Sequence, residues 1–405
     1  MIKTQYREIK TKIPHPKDLQ LFRELDKVEP NSMHNQLPIV WKEAKDYNVY
    51  DRHGNKFIDF SSGIFFANAG HSNTYICNAI RRQANNNLLS TYSFPTEVRL
   101  EYLQALTKFT GFEKAFLLSA GTEATEAACK IMRESTKRNI IFSFKGAMHG
   151  KTFFAEALKG NEKSQHVYNL EYPKENESWK DIIKNVSTHF IDNCAGIIIE
   201  SYRGWDAQLF NKKYIQNLVE WARSKKILVC FDEIQAGWGR TGKLFAYEHY
   251  EVKPDLVCCG KGLGGGVPIS CVLGSKKLLD TCDDLSSTNS ANPLVCSAAL
   301  ANLEFFKKNN LVKESERKGK ILSRVKRFIN YDEVTGVNQV GMVAAIIFKN
   351  KEIANKVCMK ALQNGVIVVK TGRESIKIGM PLTIDDEALK EGISVIEESI
   401  INWRI

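Results

Sequence analysis

The chain has 405 residues, 43% hydrophobic and 25% charged, with a formal net charge of +11 and a pI near 9.0. That length exceeds one ordinary domain and predicts two or three lobes, and the mixed composition excludes a disordered or fibrous chain. The basic balance raises the question of nucleic acid, but the lysines are scattered and no basic helix with interleaved aromatics occurs, so a solvated lysine-rich surface is expected instead.

Ten cysteines are present without C-x-x-C spacing, and Cys230, Cys258 and Cys271 lie inside apolar runs. This predicts buried free thiols in a reducing compartment rather than disulfides, zinc or another metal centre. The N-terminal residues 1–20 are charged and lack an apolar core, and no apolar run approaches the ~20 residues of a membrane span, so a cytoplasmic protein with no membrane partner is expected.

In chain order, DLQLFRELDKV (18–28) has helical spacing, and residues 38–63 alternate apolar and polar with a break at Asp51-Arg52-His53-Gly54, which predicts a β-hairpin or meander. GIFFANAGH (63–71) follows as a loop carrying Phe65 and Phe66. Residues 75–109 read as two helices split around Ser93-Phe94-Pro95-Thr96, with Thr96 as N-cap. AFLLSAGTEATEAACKIMRESTKR (115–138) is a short strand, a Ser-Ala-Gly-Thr turn and a helix, and the unpaired N–H groups at such a helix start make a ready anion site. IIFSFKGAMHGKTF (140–153) is a second strand ending in a glycine turn, with Met148 and His149 in the turn. Residues 160–190 are polar and predict a surface excursion. AGIIIESYRGW (195–205) is a buried strand ending at Glu200, and NKKYIQNLVEWARSKK (211–226) is an amphipathic helix with a basic end.

Residues 227–270 then read ILVCFDEIQAGWGRTGKLFAYEHYEVKPDLVCCGKGLGGGVPIS. An uncharged apolar run, 227–231, and a second apolar run, 255–259, deliver Asp232 and Lys261 to one sheet edge, where open α/β sheets bind ligands. Three chemistries compete for this arrangement. A P-loop ATPase needs G-x-x-x-x-G-K-[ST], and GAMHGKT (146–152) is one residue short between its glycines. A dinucleotide fold is suggested by Gly237, Gly239 and Gly242, but these glycines open no amphipathic helix and Pro254 soon follows. A pyridoxal phosphate enzyme uses a Lys for a Schiff base and an Asp on the pyridine nitrogen, and this reading alone employs Asp232 and Lys261 together.

DEIQAGWGRTG followed by PDLVCCGKGLGGGVPIS resembles the signature of class III aminotransferases of the ornithine/4-aminobutyrate type, and the resemblance extends from about residue 38 to the end. It implies an α/β chain of fold type I: a large domain (51–294) with a mostly parallel central sheet flanked by helices, a smaller α+β domain (295–405), and an N-terminal segment (1–50) contributing to the small domain. It implies pyridoxal 5'-phosphate as cofactor. Lys261 would carry the Schiff base and act as proton carrier, with Asp232 on the pyridine nitrogen, Gln235 on the phenolic oxygen and Ile234 on the ring face. Gly121 and Thr122 would hold the phosphate, with Met148 and His149 beside the ring. Thr288 would reach the phosphate of the other subunit, which implies a homodimer with shared sites. The partners would be a small-molecule amino donor (glutamate or alanine) and an aldehyde, ketone or sugar-like acceptor. A racemase, aminomutase or lyase on the same scaffold shares these cofactor residues and is the alternative.

The chain departs from the family pattern at several places. Met148 stands where an aromatic is usual, Ser201 follows Glu200 where Pro is usual, and Asn289-Ser290-Ala291 replace Phe-Gly-Gly. Phe65 and Glu200 are the expected substrate-side residues, and Glu233 with Arg240 is read as a supporting pair. The family's R-x-x-P-P-L, whose Arg clamps a substrate carboxylate, becomes Lys377-Ile378-Gly379-Met380-Pro381-Leu382 here. An ammonium lacks the planar fork of a guanidinium, so altered carboxylate recognition is expected at Lys377, with Arg373 close by as a substitute.

Overall fold

The computed structural model describes residues 1–33, 36–174 and 177–404. At its centre is a seven-stranded sheet in the spatial order Lys114–Leu118, Ser270–Gly274, Leu256–Cys259, Leu228–Asp232, Cys194–Glu200, Ile140–Phe144, Val167–Leu170. Every strand runs parallel except Ser270–Gly274, which pairs antiparallel to both neighbours. The mostly parallel sheet expected from the sequence is therefore present.

The strand sequences explain why this sheet is covered on both sides. All seven residues of Cys194–Glu200 are buried. Successive side chains point to opposite faces. Ile197, Ile199, Val229 and Phe231 pack with Leu218 and Ala222 of the Lys212–Ser224 helix. Ile198, Cys230, Cys258 and Val272 pack with Ala124, Ala128 and Met132 of the Gly121–Thr136 helix. Burying each such aliphatic or aromatic side chain contributes about 1.5–3 kcal/mol. The small residues on the Gly121–Thr136 helix let it lie close to the sheet, which fixes where its N-terminus points.

The predicted meander is seen as Trp41–Lys45, Asn48–Asp51 and Lys56–Asp59, part of a six-stranded sheet that also takes up Ile2–Lys3, Glu8–Ile9 and, from the far end of the chain, Val366–Ile367. A four-stranded sheet of Val334–Val340, Val343–Phe348, Ser375–Ile378 and Val369–Lys370 completes the fold, with the Lys351–Gln363 and Asp386–Ile401 helices. Among the described residues no helix is long and apolar enough to cross a membrane.

Two expectations are corrected. Residues 160–190 are not merely a surface excursion: Val167–Leu170 is an edge strand of the central sheet, and Trp179 is 1% exposed, packed edge-on against Tyr214 and Trp221. A four-residue edge strand carries too little apolar pattern to stand out in a polar stretch. Thr96 occupies the N-cap position of the Glu97–Thr110 helix with extended backbone, but its side chain makes no cap hydrogen bond.

Candidate active site

Five parallel strands end on one edge of the central sheet, and their C-terminal ends carry the predicted site. The loop after Lys114–Leu118 leads to Gly121, the loop after Ile140–Phe144 carries Met148 and His149, Cys194–Glu200 ends in Glu200, Leu228–Asp232 ends in Asp232, and Leu256–Cys259 leads to Lys261. Asp232 pairs in register with Glu200 on one side and Cys258 on the other. One cavity is lined by Met148, Glu200, Tyr202, Asp232, Ile234, Gln235, Ala236 and Lys261. Six of these residues are expected at the site from sequence, while Tyr202 and Ala236 are not. Each sits two residues or fewer past an expected one, so continuation of the strand ends is the signal that could have found them.

Lys261 is held at φ 43°, a left-handed conformation that costs free energy in a non-glycine residue and is over-represented at functional sites. Its neighbour Gly262 is required sterically, because a Cβ there would lie 2.6 Å from Asn68 Nδ2. Burial pulls the Lys261 amine below its ordinary pKa, against the nearby carboxylates of Asp232 and Glu200. Among the described residues this amine has no hydrogen-bond or ion-pair partner.

Asp232 is 4% exposed. Its Oδ2 lies 2.8 Å from His149 Nδ1, and its Oδ1 accepts the Ile234 N–H at 3.0 Å. His149 is buried, its Nε2 has no partner, and its carbonyl accepts the Thr125 hydroxyl at 2.6 Å. That last bond ties the Met148–His149 turn to the Gly121–Thr136 helix. At the start of this helix the Glu123 carboxylate accepts the N–H groups of Ser119 and Ala120 at 2.9 and 2.7 Å. The Gly121 and Thr122 N–H groups are left without an acceptor among the described residues. A Cβ at Gly121 would sit 3.0 Å from the Ile234 side chain, and one at Gly150, with φ 135°, would sit 2.2 Å from Thr122 Oγ1. Thr122 Oγ1 in turn lies 2.6 Å from Thr152 Oγ1.

Glu200 is 7% exposed, and its Oε2 accepts the Met148 N–H at 3.0 Å. Burial pushes its carboxyl up to about 7, opposed by His149 and reinforced by Asp232. Lys377, on the Ser375–Ile378 strand, is 3% exposed. Its Nζ donates to the Gly204 carbonyl and to Gln235 Oε1, and lies 4.5 Å from the centre of the Phe65 ring. Burial pulls this amine down to about 7, with Glu200 opposing the shift.

Phe65 is buried and lies beneath two cations, Lys377 and the Arg240 guanidinium, whose carbon is 5.3 Å from the ring centre. It supports the site from behind and is not among the residues lining the cavity. The Ser62–Phe65 turn around it is left-handed throughout, with φ between 49° and 69°. Thr288 is exposed and stands away from the Lys261 cavity of its own chain. Arg373 is exposed and stacks on Trp205 at 5.0 Å.

The expected Glu233–Arg240 pair does not form. Glu233 is fully buried and accepts the Ser201 hydroxyl and the N–H groups of Ala246 and Tyr247, the two N–H bonds both at 2.8 Å. Arg240, equally buried, donates to the carbonyls of Met342 (3.0 Å) and Met380 (2.6 Å) and to Asn68 Oδ1. Each has found partners in the backbone of packed turns, and the glycines at 237, 239 and 242 serve those turns rather than a dinucleotide.

The family model "Aminotransferase class-III" matches residues 30–400. The chain is 33% identical over 374 residues to the [LysW]-aminoadipate semialdehyde/glutamate semialdehyde transaminase of Sulfolobus acidocaldarius, covering 90% of this chain and 95% of that one. It is 30% identical over 395 residues to the acetylornithine aminotransferase of Methanocaldococcus jannaschii, covering 93% and 96%. A solved structure of the ornithine aminotransferase from Toxoplasma gondii, described as having partial occupancy of PLP at its active site, is similar with a TM-score of 0.86 at 25% identity, over 97% of this chain and 96% of that one. A match of this extent, on a chain whose Asp232, Gln235 and Lys261 line one cavity, makes this protein a member of the class III aminotransferases.

Proposed function

We propose that the chain binds pyridoxal 5'-phosphate at Lys261 and transfers an amino group from an amino acid donor, glutamate or alanine, to an aldehyde, ketone or sugar-like acceptor. The observation that carries this reading is the convergence of Lys261, Asp232 and Gln235 on one cavity. The donor set fits the cofactor. An unpaired amine at Lys261 suits the carbonyl carbon, the Asp232–His149 pair suits a protonated ring nitrogen, and the acceptor-less N–H groups of Gly121 and Thr122 at a 16-residue helix start suit a phosphate. When bound, the cofactor supplies an electron sink for the carbon that loses its proton.

The chain's own residues do the rest. Lys261 holds and moves the proton at the donor's α-carbon, and its burial lowers the amine's pKa toward the working range of a general base. Asp232 keeps a negative charge where the ring nitrogen's proton sits, and His149 fixes that carboxylate's orientation. Ile234 packs against Gly121 and offers an apolar face. Met148 stands at the mouth, 42% exposed, as a thioether contact for a ring face.

The site is completed by a second copy of the chain. Supporting this, Thr288 is exposed, and Leu88, Leu89, Tyr92, Phe94 and Leu100 are exposed together, an apolar surface of the kind dimers cover. The ten free cysteines, with Cys230 and Cys258 sulfurs 3.7 Å apart and joined by a hydrogen bond but by no disulfide, suit a reducing, cytoplasmic location. The relatives' names, semialdehyde transaminase among them, favour amino transfer to a carbonyl over a racemase, aminomutase or lyase outcome.

The test is the absorbance spectrum of purified protein with added pyridoxal phosphate, before and after glutamate or alanine. A band near the visible edge, absent from Lys261→Ala and moved to shorter wavelength by a donor, is expected. A band that no amino acid converts would shift the reading to the non-transaminating alternatives.

A further inference from the structure

Lys377 occupies the place from which the family's arginine would clamp a carboxylate, but its bonding leaves it little freedom to do so. It is 3% exposed, sits over the Phe65 ring, and commits two of its three donors to the Gly204 carbonyl and Gln235 Oε1. The charged and titratable groups around it are Glu200, Asp206, Lys261 and Arg240. Neither of these carboxylates forms an ion pair with it: Glu200 bonds the Met148 N–H, and Asp206 pairs with Arg203.

The Gln235 contact has a directional consequence. Lys377 Nζ is the donor in both of its contacts, so it engages the amide oxygen and not the amide nitrogen. The amide is planar, and with Oε1 turned to Lys377 its Nε2 must point away from it. Among the described residues Nε2 has no acceptor. Gln235 lies in the Lys261 cavity together with Asp232. Without Lys377, no other described residue bonds this amide, so nothing in the protein would fix which of its two ends faces the cavity.

We propose that Lys377 is a positioning residue that locks the Gln235 amide with its N–H donors facing the cofactor's oxygen, and that it is not the substrate carboxylate clamp. The inference rests on the reading given under Proposed function. It gives the lysine at position 377 a different role from the arginine it replaces. The cation acts on the cofactor's environment through Gln235, and a carboxylate-bearing substrate is recognised elsewhere.

The experiment titrates the visible absorbance band of the pyridoxal phosphate-loaded protein with pH in wild type, Lys377→Met, Gln235→Leu and the double variant, and measures cofactor affinity and the donor's KM in parallel. Removing an N–H donor from a developing oxyanion raises the midpoint of the band's titration. Lys377→Met and Gln235→Leu are each expected to raise it by roughly one pH unit, the size of one hydrogen bond to a charged group. The double variant is expected to move no further than Gln235→Leu alone. Gln235→Glu keeps an acceptor for Lys377, supplies no N–H and adds a negative charge, so it is expected to raise the midpoint at least as far as Gln235→Leu, and it guards against a Lys377→Met chain that folds poorly.

Additive shifts in the double variant would mean that Lys377 acts by its own charge, and the proposal fails. A raised donor KM in Lys377→Met with an unmoved midpoint would make Lys377 the carboxylate clamp, and again the proposal fails. A wild-type protein without any band overturns the cofactor reading itself, which separates that failure from the other two.

Discussion

His149 Nδ1 lies 2.8 Å from Asp232 Oδ2, and the two side chains are 0% and 3% exposed. The pair joins the turn after one strand to the end of another two places away in the sheet. A carboxylate this buried needs every donor it has, and among the described residues it has two: the imidazole and the Ile234 N–H. Replacing His149 with Ala leaves Asp232 Oδ2 unpaired and is expected to cost about 1–3 kcal/mol of stability in the cofactor-free protein, read as a lowered denaturant midpoint. Asp232→Asn keeps the shape and removes the charge. It is expected to lower turnover by ~10²-fold or more while the fold is retained, since a fixed charge at the reacting group is lost. Turnover within a few-fold of wild type would deny Asp232 its electrostatic role.

The Glu200 carboxyl predicts a pH dependence of stability. Its folded-state pKa is raised to about 7 by burial, above the ordinary carboxylate value of 4.5. Such a group contributes stability that is fully present below about pH 4.5 and is lost as the pH rises to about 7. Glu200→Gln removes this titration while keeping an acceptor for the Met148 N–H. The difference in unfolding free energy between wild type and Glu200→Gln, measured without cofactor, is expected to change by up to about 3 kcal/mol across that window and to be flat above it. Lys377 titrates above that window: its amine is lowered to about 7 from 10.5, so its destabilising contribution lifts only as the pH rises beyond about 7. A flat difference across pH 4.5–7 would show that Glu200 stays ionised in the fold.

Arg240 is the residue whose role the sequence concealed. The stretch DEIQAGWGRTG places Glu233 and Arg240 seven residues apart, and opposite charges at that distance suggest a pair. The fold instead turns the guanidinium toward Met342, Met380 and Asn68, three segments that are remote in sequence. Burial lowers its pKa to about 10, so it remains a cation at neutral pH. An ammonium cannot reach three acceptors in different directions as the planar fork does. Arg240→Lys is therefore expected to cost at least ~2 kcal/mol of stability, with acceptors left bare at about 1–3 kcal/mol each. A melting temperature equal to wild type would contradict this bracing role.

The central sheet and its site edge were legible because they rest on local chemistry. The apolar runs ending in Asp232 and Glu200, the Gly-Lys-Gly around Lys261 and the Gly121 turn each state a strand or helix end and the group it delivers. What escaped was what depends on contacts distant in sequence. The Val167–Leu170 strand takes its identity from the neighbour it pairs with, and Trp179 is buried against Tyr214 and Trp221 of the Lys212–Ser224 helix. Phe65 reads as a loop aromatic in sequence, whereas Gly379 and the cations of Arg240 and Lys377 enclose it in the fold. The partners of Lys377 follow from the register of Ser375–Ile378 beside Val343–Phe348, a strand pairing that no stretch of sequence spells out.

Gly150 offers the sharpest steric prediction. Its φ of 135° is one that side-chain-bearing residues rarely adopt, and a Cβ there would lie 2.2 Å from Thr122 Oγ1 and 3.0 Å from Thr122 Cα. The hydroxyl could rotate away, but the backbone contact remains, so the start of the Gly121–Thr136 helix must move. Gly150→Ala is expected to cost about 1–3 kcal/mol of stability through overpacking, with a further penalty for the backbone conformation. Because Thr122 carries one of the free N–H groups proposed to hold the phosphate, pyridoxal phosphate affinity is expected to fall as well. Thr122→Ala separates the two effects: it keeps the N–H and removes the hydroxyl, so it should leave phosphate binding nearly intact. If Gly150→Ala loses stability but binds the cofactor as wild type does, the phosphate is held by other groups than the N-terminus of this helix.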